Sequence, residues 1–315
     1  MTACIAAMRD AFGEALLSLA TQYPKMVVLD ADVATSTRSA RFGERYPDRF
    51  FNVGVAEANM VDIAAGLATC GLRPVVSAFA LFITLKGADQ IRNIVCYNNL
   101  PVIFAGNYAG LSDSYDGASH QSILDLSIMR AMPNLAVIVP ADGIELRQAL
   151  EQALCRQAPT FIRICRNPTP VLFADMPKFE FGRIRKLADG GDLTIAVCGV
   201  PTHMAIEASV RLARRGVSVD LLEISTLKPI DTERLVASAS RTRKVLTVEE
   251  HTIRGGLGSV VAETLAQTVP CAMRFVGIED RFTESGDYAA LLSKYGISAD
   301  NIEAKALELL GCSSQ

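Results

Sequence analysis

Short apolar runs of strand length alternate with helix-length segments along almost all of this chain, and that alternation limits the fold more than any other property of the sequence. Runs at residues 26–29, 50–53, 74–78, 102–105, 136–139 and 160–164 are separated by helical patterns at 56–71, 85–97, 122–132 and 143–156. Before them, Met8, Ala11, Phe12, Ala15, Leu16 and Leu19 recur at helical spacing within a stretch over 3–20. Apolar runs this short, set between helices, predict parallel strands buried on both faces. From Asn167 the pattern lapses into Pro168, Pro170, Pro177 and mixed polar residues as far as Gly190-Gly-Asp192. It then resumes with strands at 193–197, 217–222, 244–248 and 272–276 and helices at 201–215, 231–241 and 258–268. The expectation is two successive α/β domains with mostly parallel sheets: residues 1–167, a linker over 168–189, and a smaller unit over 190–315. A length of 315 residues suffices for two cores.

Charge and composition remove several function classes. With 31 basic and 34 acidic side chains, a net charge of -3 and no Lys/Arg-rich run, the chain has no electrostatic reason to bind nucleic acid. Arg9, Asp10 and Glu14 interrupt the first helical stretch, so it is neither a signal segment nor a membrane span, and the other apolar runs are strand-sized. A cytoplasmic protein without membrane contact is expected. The eight cysteines form no CxxC pair and read as reduced core residues. His120, His203 and His251 are too far apart for a HxxxH pair, so no protein-built metal site is expected. Gly256-Leu-Gly258-Ser-Val-Val261 is an incomplete dinucleotide fingerprint: Val261 replaces the third glycine, and residues 251–254 separate the strand from the glycines. Close helix packing or a subunit contact is the better reading there.

Parallel sheets bind ligands beyond the carboxyl ends of their strands, so polar residues just after the runs are the first candidates. Four places qualify: Asp30-Ala-Asp32 with Ser36, Asn52-Val-Gly-Val-Ala-Glu57, the segment 107–121, and Arg166. Glu57 alone, in the first turn of a helix, is no more than favourable dipole placement. Phe79 and Phe82, three apart, are by themselves plain core. The loop 110–121 is long, polar and glycine-bearing, as functional loops inside compact domains are, and it ends with His120 and Gln121.

Several motifs in order carry a resemblance. Asp30-Ala-Asp-Val-Ala-Thr-Ser-Thr37, Asn52-Val-Gly-Val-Ala-Glu-Ala-Asn-Met60, Ala64-Ala-Gly-Leu67, Ser77-Ala-Phe-Ala-Leu-Phe82, Asp89-Gln-Ile-Arg-Asn93 and Asp116-Gly-Ala-Ser-His-Gln121 together resemble the pyrimidine-binding domain of transketolases. Val139-Pro-Ala-Asp142 extends the likeness, and Val248-Glu-Glu-His251 with Gly255-Gly-Leu-Gly-Ser259 resembles the transketolase C-terminal domain. The resemblance implies that Glu57 hydrogen-bonds the aminopyrimidine of thiamine diphosphate, favouring the imino tautomer that takes the proton from the thiazolium carbon. It implies that Phe79 and Phe82 pack on that ring and that Asp32 lies beside the cofactor. It further implies that His120 and Asp116 hydrogen-bond donor-sugar hydroxyls, and that Arg9, Ser36 and Arg166 grip a sugar phosphate. Glu57 and His120 are then the catalytic pair.

Two departures accompany the likeness. Leu85 stands where family members often carry a tyrosine, and no Gly-Asp-Gly segment followed by Asn supplies a diphosphate and Mg²⁺ site. The resemblance therefore implies the C-terminal subunit of a split transketolase. The missing domain would lie on an N-terminal subunit of about 250 to 300 residues that holds Mg²⁺ and the diphosphate, in a heterotetramer. The expected reaction is transfer of a two-carbon ketol group from a ketose phosphate to an aldose. Rival readings are a subunit resembling 1-deoxyxylulose-5-phosphate synthase or the β subunit of a 2-oxo acid dehydrogenase, and, from another class, a non-catalytic binding or regulatory paralogue. Asp116 and Arg166 favour a sugar phosphate over a pyruvate-like donor.

Overall fold

The computed structural model describes residues 5–174 and 176–311. Ala3, Cys4 and Cys312 lie outside them. The first part of the chain contributes β1 (Ile5–Ala7), β2 (Met26–Asp30), β3 (Phe50–Asn52), β4 (Arg73–Phe79), β5 (Ile103–Asn107), β6 (Ala136–Ile138), β7 (Thr160–Arg163) and β8 (Pro168–Pro170). The second contributes β9 (Arg185–Ala188), β10 (Leu193–Val197), β11 (Val219–Glu223), β12 (Thr226–Lys228), β13 (Lys244–Thr252) and β14 (Ala272–Ile278).

The larger sheet has the order β12-β6-β7-β5-β4-β2-β3 and is parallel except for β12. The smaller has the order β14-β13-β10-β11-β9 and is parallel except for β9. Every residue of β2, β5 and β10 is buried, as strands covered by helices on both faces require. One cover of the first sheet is formed by the helix Met8–Ala20 against Gly143–Cys155, where Phe12, Leu16 and Leu19 share a core with Leu146, Leu150 and Leu154. Each such side chain contributes about 1.5–3 kcal/mol by burial. Asp142 accepts the Glu145 amide at 2.8 Å and caps the second of these helices.

The two parts interlock. β12, from the second part, adds antiparallel to β6 at the edge of the first sheet, and the Thr252 amide donates to the Ile123 carbonyl at 2.8 Å. Residues 168–189, read as a linker, contain β8, which pairs with β1, and β9, which extends the second sheet. The helix expected over 85–97 is instead Ala80–Lys86, a break at Gly87, Ala88–Gln90 and a π-helical turn over Ile91–Cys96. Gly87 packs so closely that a Cβ there would lie 2.7 Å from the Ile83 carbonyl oxygen. Helices Tyr288–Lys294 and Ala299–Leu310 were not anticipated. Cys96, Cys165 and Cys198 are buried as core residues, whereas Cys70 and Cys155 are exposed. Among the described residues no helix is long and apolar enough to cross a membrane.

Candidate active site

The carboxyl end of the first sheet gathers most of the candidates. Gly54, at φ 75°, turns the chain after β3, and Glu57 opens the helix Glu57–Thr69. Its carboxylate is buried, and its side-chain partner is the Lys86 ammonium, at 3.3 and 3.5 Å from the two oxygens. β4 ends on Phe79, and the following helix Ala80–Lys86 carries Phe82 and Lys86 one turn apart. Lys86 Nζ lies 4.4 Å from the centroid of the Phe82 ring, so the cation stands between a buried carboxylate and an aromatic face.

Beyond Phe82 the rings continue. Phe79 and Phe82 have centroids 5.9 Å apart, and the His120 ring meets Phe82 edge-on at 5.2 Å and Phe79 at 6.4 Å. His120 Nδ1 is 3.0 Å from the Ser119 hydroxyl. Phe79 also stacks on Tyr108 at 4.3 Å, and Tyr108 links this group to the next.

Two guanidinium groups flank Tyr108, with Arg166 at 4.9 Å and Arg9 at 5.9 Å from the ring centroid. Arg9 donates to the Tyr108 hydroxyl at 2.8 Å and to the Ser36 carbonyl at 3.5 Å, and the Tyr108 hydroxyl donates to that same carbonyl at 3.3 Å. Arg166 pairs with Asp113 at 3.1 Å. Burial, then the neighbouring Asp116 carboxyl, pushes Asp113 up to about 7, against the pull of Arg166. One oxygen of Asp113 has no hydrogen-bond partner. Two cations beside two carboxylates, one of which is readily protonated, can receive an anionic group while orienting hydroxyls.

The structure thus brings Glu57, Phe82, Phe79, His120, Arg9, Ser36, Arg166 and Asp116 into one chain of contacts through Lys86, Tyr108 and Asp113. Asp32 is separate: it sits at φ 65° on an exposed corner and accepts from Asn52 Nδ2 at 3.0 Å. Leu85 is exposed on the helix that bears Phe82. Sequence reasoning missed Lys86, and it did not single out Tyr108 and Asp113 within the candidate segment 107–121. The importance of Asp113 depends on an arginine 53 residues away.

Other features lie apart from this face. Among the described residues no three His, Cys, Asp or Glu side chains are placed to hold a metal ion. At the glycine-rich turn, the Leu257 and Gly258 amides donate to Glu249 at 2.7 and 2.8 Å, so a side chain of the protein takes up that helix terminus. A Cβ on Gly256 would lie 2.8 Å from His251 Nδ1, which leaves no room for a pyrophosphate. A cavity of about 690 Å³ beside β9 and the helix Thr232–Thr242 contains none of the candidate residues.

Residues 5–171 match the transketolase pyrimidine-binding domain and residues 182–302 the transketolase C-terminal domain. The chain is 39% identical over 304 residues to a putative transketolase C-terminal section of Methanocaldococcus jannaschii, covering 96% of this chain and 95% of that protein. It is 36% identical over 302 residues to the 6-deoxy-6-sulfo-D-fructose transketolase subunit SqwH of Clostridium sp., covering 96% and 94%. It is also 36% identical to the 1-deoxy-D-xylulose-5-phosphate synthase of Pelotomaculum thermopropionicum, but spans only 47% of that longer protein. Among solved structures it superposes with a TM-score of 0.88 on a split-gene transketolase, an inactive β4 tetramer, at 41% identity and covering 98% and 99% of the two chains. The chain belongs to the transketolase family and carries that family's pyrimidine-binding and C-terminal domains.

Proposed function

We propose that this chain is the subunit of a split transketolase that supplies the pyrimidine and sugar contacts, and that it moves a two-carbon ketol group from a ketose phosphate to an aldose when joined by a chain holding Mg²⁺ and a diphosphate. The observation that carries the reading is the buried Glu57 carboxylate, partnered by a half-exposed ammonium that stands over the Phe82 ring. A buried hydrogen-bonding carboxylate next to an aromatic face fits an aminopyrimidine, which offers ring and exocyclic nitrogens in one flat group. Thiamine diphosphate, when bound, supplies the carbanion chemistry.

The residues of this chain would do the rest. Glu57 holds a proton at the pyrimidine ring nitrogen, and Phe82 and Phe79 orient the ring by contact. Asp32, on its separate exposed corner, is given no part in these contacts. His120 and Asp116 hydrogen-bond the donor-sugar hydroxyls. Arg9 and Arg166, with Ser36, take the terminal phosphate, since two guanidinium groups present several charge-assisted donors. The relative named for a sulfo sugar likewise acts on a substrate with an anionic group. The need for a partner is supported by the split-gene relative, whose β4 tetramer is inactive.

A second reading, a synthase subunit, is supported by the relatives named 1-deoxy-D-xylulose-5-phosphate synthase. Ketol transfer is preferred because relatives matched along nearly their whole length are named transketolases. The test is co-expression with a diphosphate-binding partner. Ketol transfer by the pair and by neither chain alone is expected. Activity of this chain alone would overturn the split arrangement, and decarboxylative condensation of pyruvate with an aldose by the pair, releasing CO2, would favour the synthase.

A further inference from the structure

The loop that carries Asp113, Asp116 and His120 is fastened from the second part of the chain. Glu250, on β13, reaches across and accepts the Leu111 amide at 2.7 Å through one oxygen, while its other oxygen accepts the Tyr288 hydroxyl at 2.9 Å. The Gly286 amide donates to the Ser114 carbonyl at 3.0 Å, and Gln121 Nε2 donates to the Glu284 carbonyl at 3.0 Å. Arg163 closes the base by donating to the Ser122 and Glu250 carbonyls at 3.0 and 2.9 Å and pairing with Asp125 at 2.8 Å. Both ends of the loop and its middle are thus held by the other domain.

The fit is tight enough to dictate residue types. At Gly110, φ 65°, a Cβ would lie 2.6 Å from Glu250 Cδ, and at Gly117, φ 75°, it would press into the Ser285 side chain. Burying a carboxylate to make one amide bond is costly in isolation. Glu250 is fully buried, and burial pushes it up to about 7 even with Arg163 beside it. A carboxylate kept in such a place to join a backbone amide of a functional loop to the Tyr288 hydroxyl ties that loop to the second domain. Glu250 itself faces Leu111 and Tyr288, not the rings or guanidinium groups of the site.

We propose that Glu250 is a positioning residue: by anchoring Leu111 it holds Asp113, Asp116 and His120 where a donor sugar meets them, so the second domain sets substrate geometry without touching substrate. This rests on the reading of Asp116 and His120 as sugar contacts. It also predicts a division within the site, because Glu57, Phe79 and Phe82 lie on β4 and two neighbouring helices outside the fastened loop.

The test compares Glu250→Ala, Glu250→Gln and Tyr288→Phe. Glutamine keeps an acceptor for the Leu111 amide; alanine removes it. In the full chain, hydrogen exchange of amides 111–121 should quicken about tenfold or more in Glu250→Ala, while β4 and β10 keep their protection. Glu250→Gln should stay within about twofold of the parent, and Tyr288→Phe should fall between. In the two-chain enzyme, kcat/KM for the sugar donor should fall about tenfold or more in Glu250→Ala, with thiamine diphosphate binding, measured by calorimetry, unchanged. Unchanged loop exchange in both Glu250→Ala and Tyr288→Phe would overturn the anchor and leave the proposed function standing. Equal loss of protection in β4 and β10, or a Gln variant as damaged as the Ala variant, would also overturn it. A loosened loop with unchanged donor kinetics would overturn the sugar-contact reading of Asp116 and His120, and the positioning role with it.

Discussion

Replacing Arg166 by methionine separates the anion-binding role from every other role this face could have. The side chain is 31% exposed and lies over Tyr108, with one carboxylate partner, Asp113, at 3.1 Å. A hydrogen bond to a charged group contributes about 1.5–3 kcal/mol, and partial exposure places Arg166 at the lower end, about 1.5–2 kcal/mol. At about 1.4 kcal/mol per factor of ten, that is about a 10- to 30-fold loss in kcat/KM for a phosphorylated donor. Methionine keeps the length and the contact with the ring but removes the charge. Asp113 then loses its cation, and as a carboxyl already held up to about 7 it becomes protonated near neutrality, so no bare charge is left buried. Whatever that adjustment costs is shared by all substrates. The measured quantity is therefore a ratio: kcat/KM for a ketose phosphate over that for the same ketose without phosphate, in the two-chain enzyme, before and after the change. The ratio should fall about 10- to 30-fold. An equal loss on both substrates would refute a phosphate contact at Arg166.

Three further outcomes follow from the geometry. Tyr108→Phe removes the hydroxyl shared by Arg9 and the Ser36 carbonyl, about 1 kcal/mol, and should raise KM for phosphorylated donors about fivefold; an unchanged KM would mean that Arg9 is held without it. Gly110→Ala combines a left-handed backbone with a clash on Glu250 and should destabilise the chain by about 2–4 kcal/mol in thermal or urea unfolding, whereas Gly66→Ala, mid-helix with open space around it, should stabilise by about 0.5–1 kcal/mol. Burial holds Glu249, Glu250 and Asp113 up to about 7, above their values in the unfolded chain, so the stability they contribute below about pH 4 is lost as pH rises through 7. His251, pushed down to about 4 by burial, acts oppositely and mainly below about pH 6.5. Between pH 6.5 and 8 the carboxylates govern, and the unfolding midpoint should fall; a rising midpoint would contradict the assignment.

The parts of the fold legible in the sequence are those whose residues answer to local rules. β2, β5 and β10 are wholly apolar or nearly so because both faces are covered, and they stand out as runs. β12 could not be seen that way: three residues long, it exists because the edge of β6, some ninety residues earlier, offers it a ladder. β8 and β9 fall in a stretch rich in proline and polar residues for the same reason. At Gly87, where the helix breaks, a Cβ would also lie 3.2 Å from the Val61 side chain of a neighbouring helix, a tertiary contact that no local pattern reveals.

Within the site, Glu57, His120 and Arg166 were found because they follow strands, where parallel sheets place ligands. Tyr108 follows a strand too, but an aromatic after an apolar run reads as core until Arg9 and Arg166 are seen on its two sides. Lys86 lies beside Glu57 only because two helices meet there and bring together residues 29 apart in sequence. Glu250 and Tyr288 act on a loop more than a hundred residues earlier, and no spacing rule connects them.

The most direct measurement is the turnover of ketol transfer by the assembled pair with Glu57 changed to alanine. If the Glu57 carboxylate holds the proton at the pyrimidine ring, turnover should fall by about 100-fold or more, the range that a positioned acid or base contributes, in a chain that still folds and still assembles with its partner. An assembled pair that turns over as fast without the Glu57 carboxylate as with it would contradict the account.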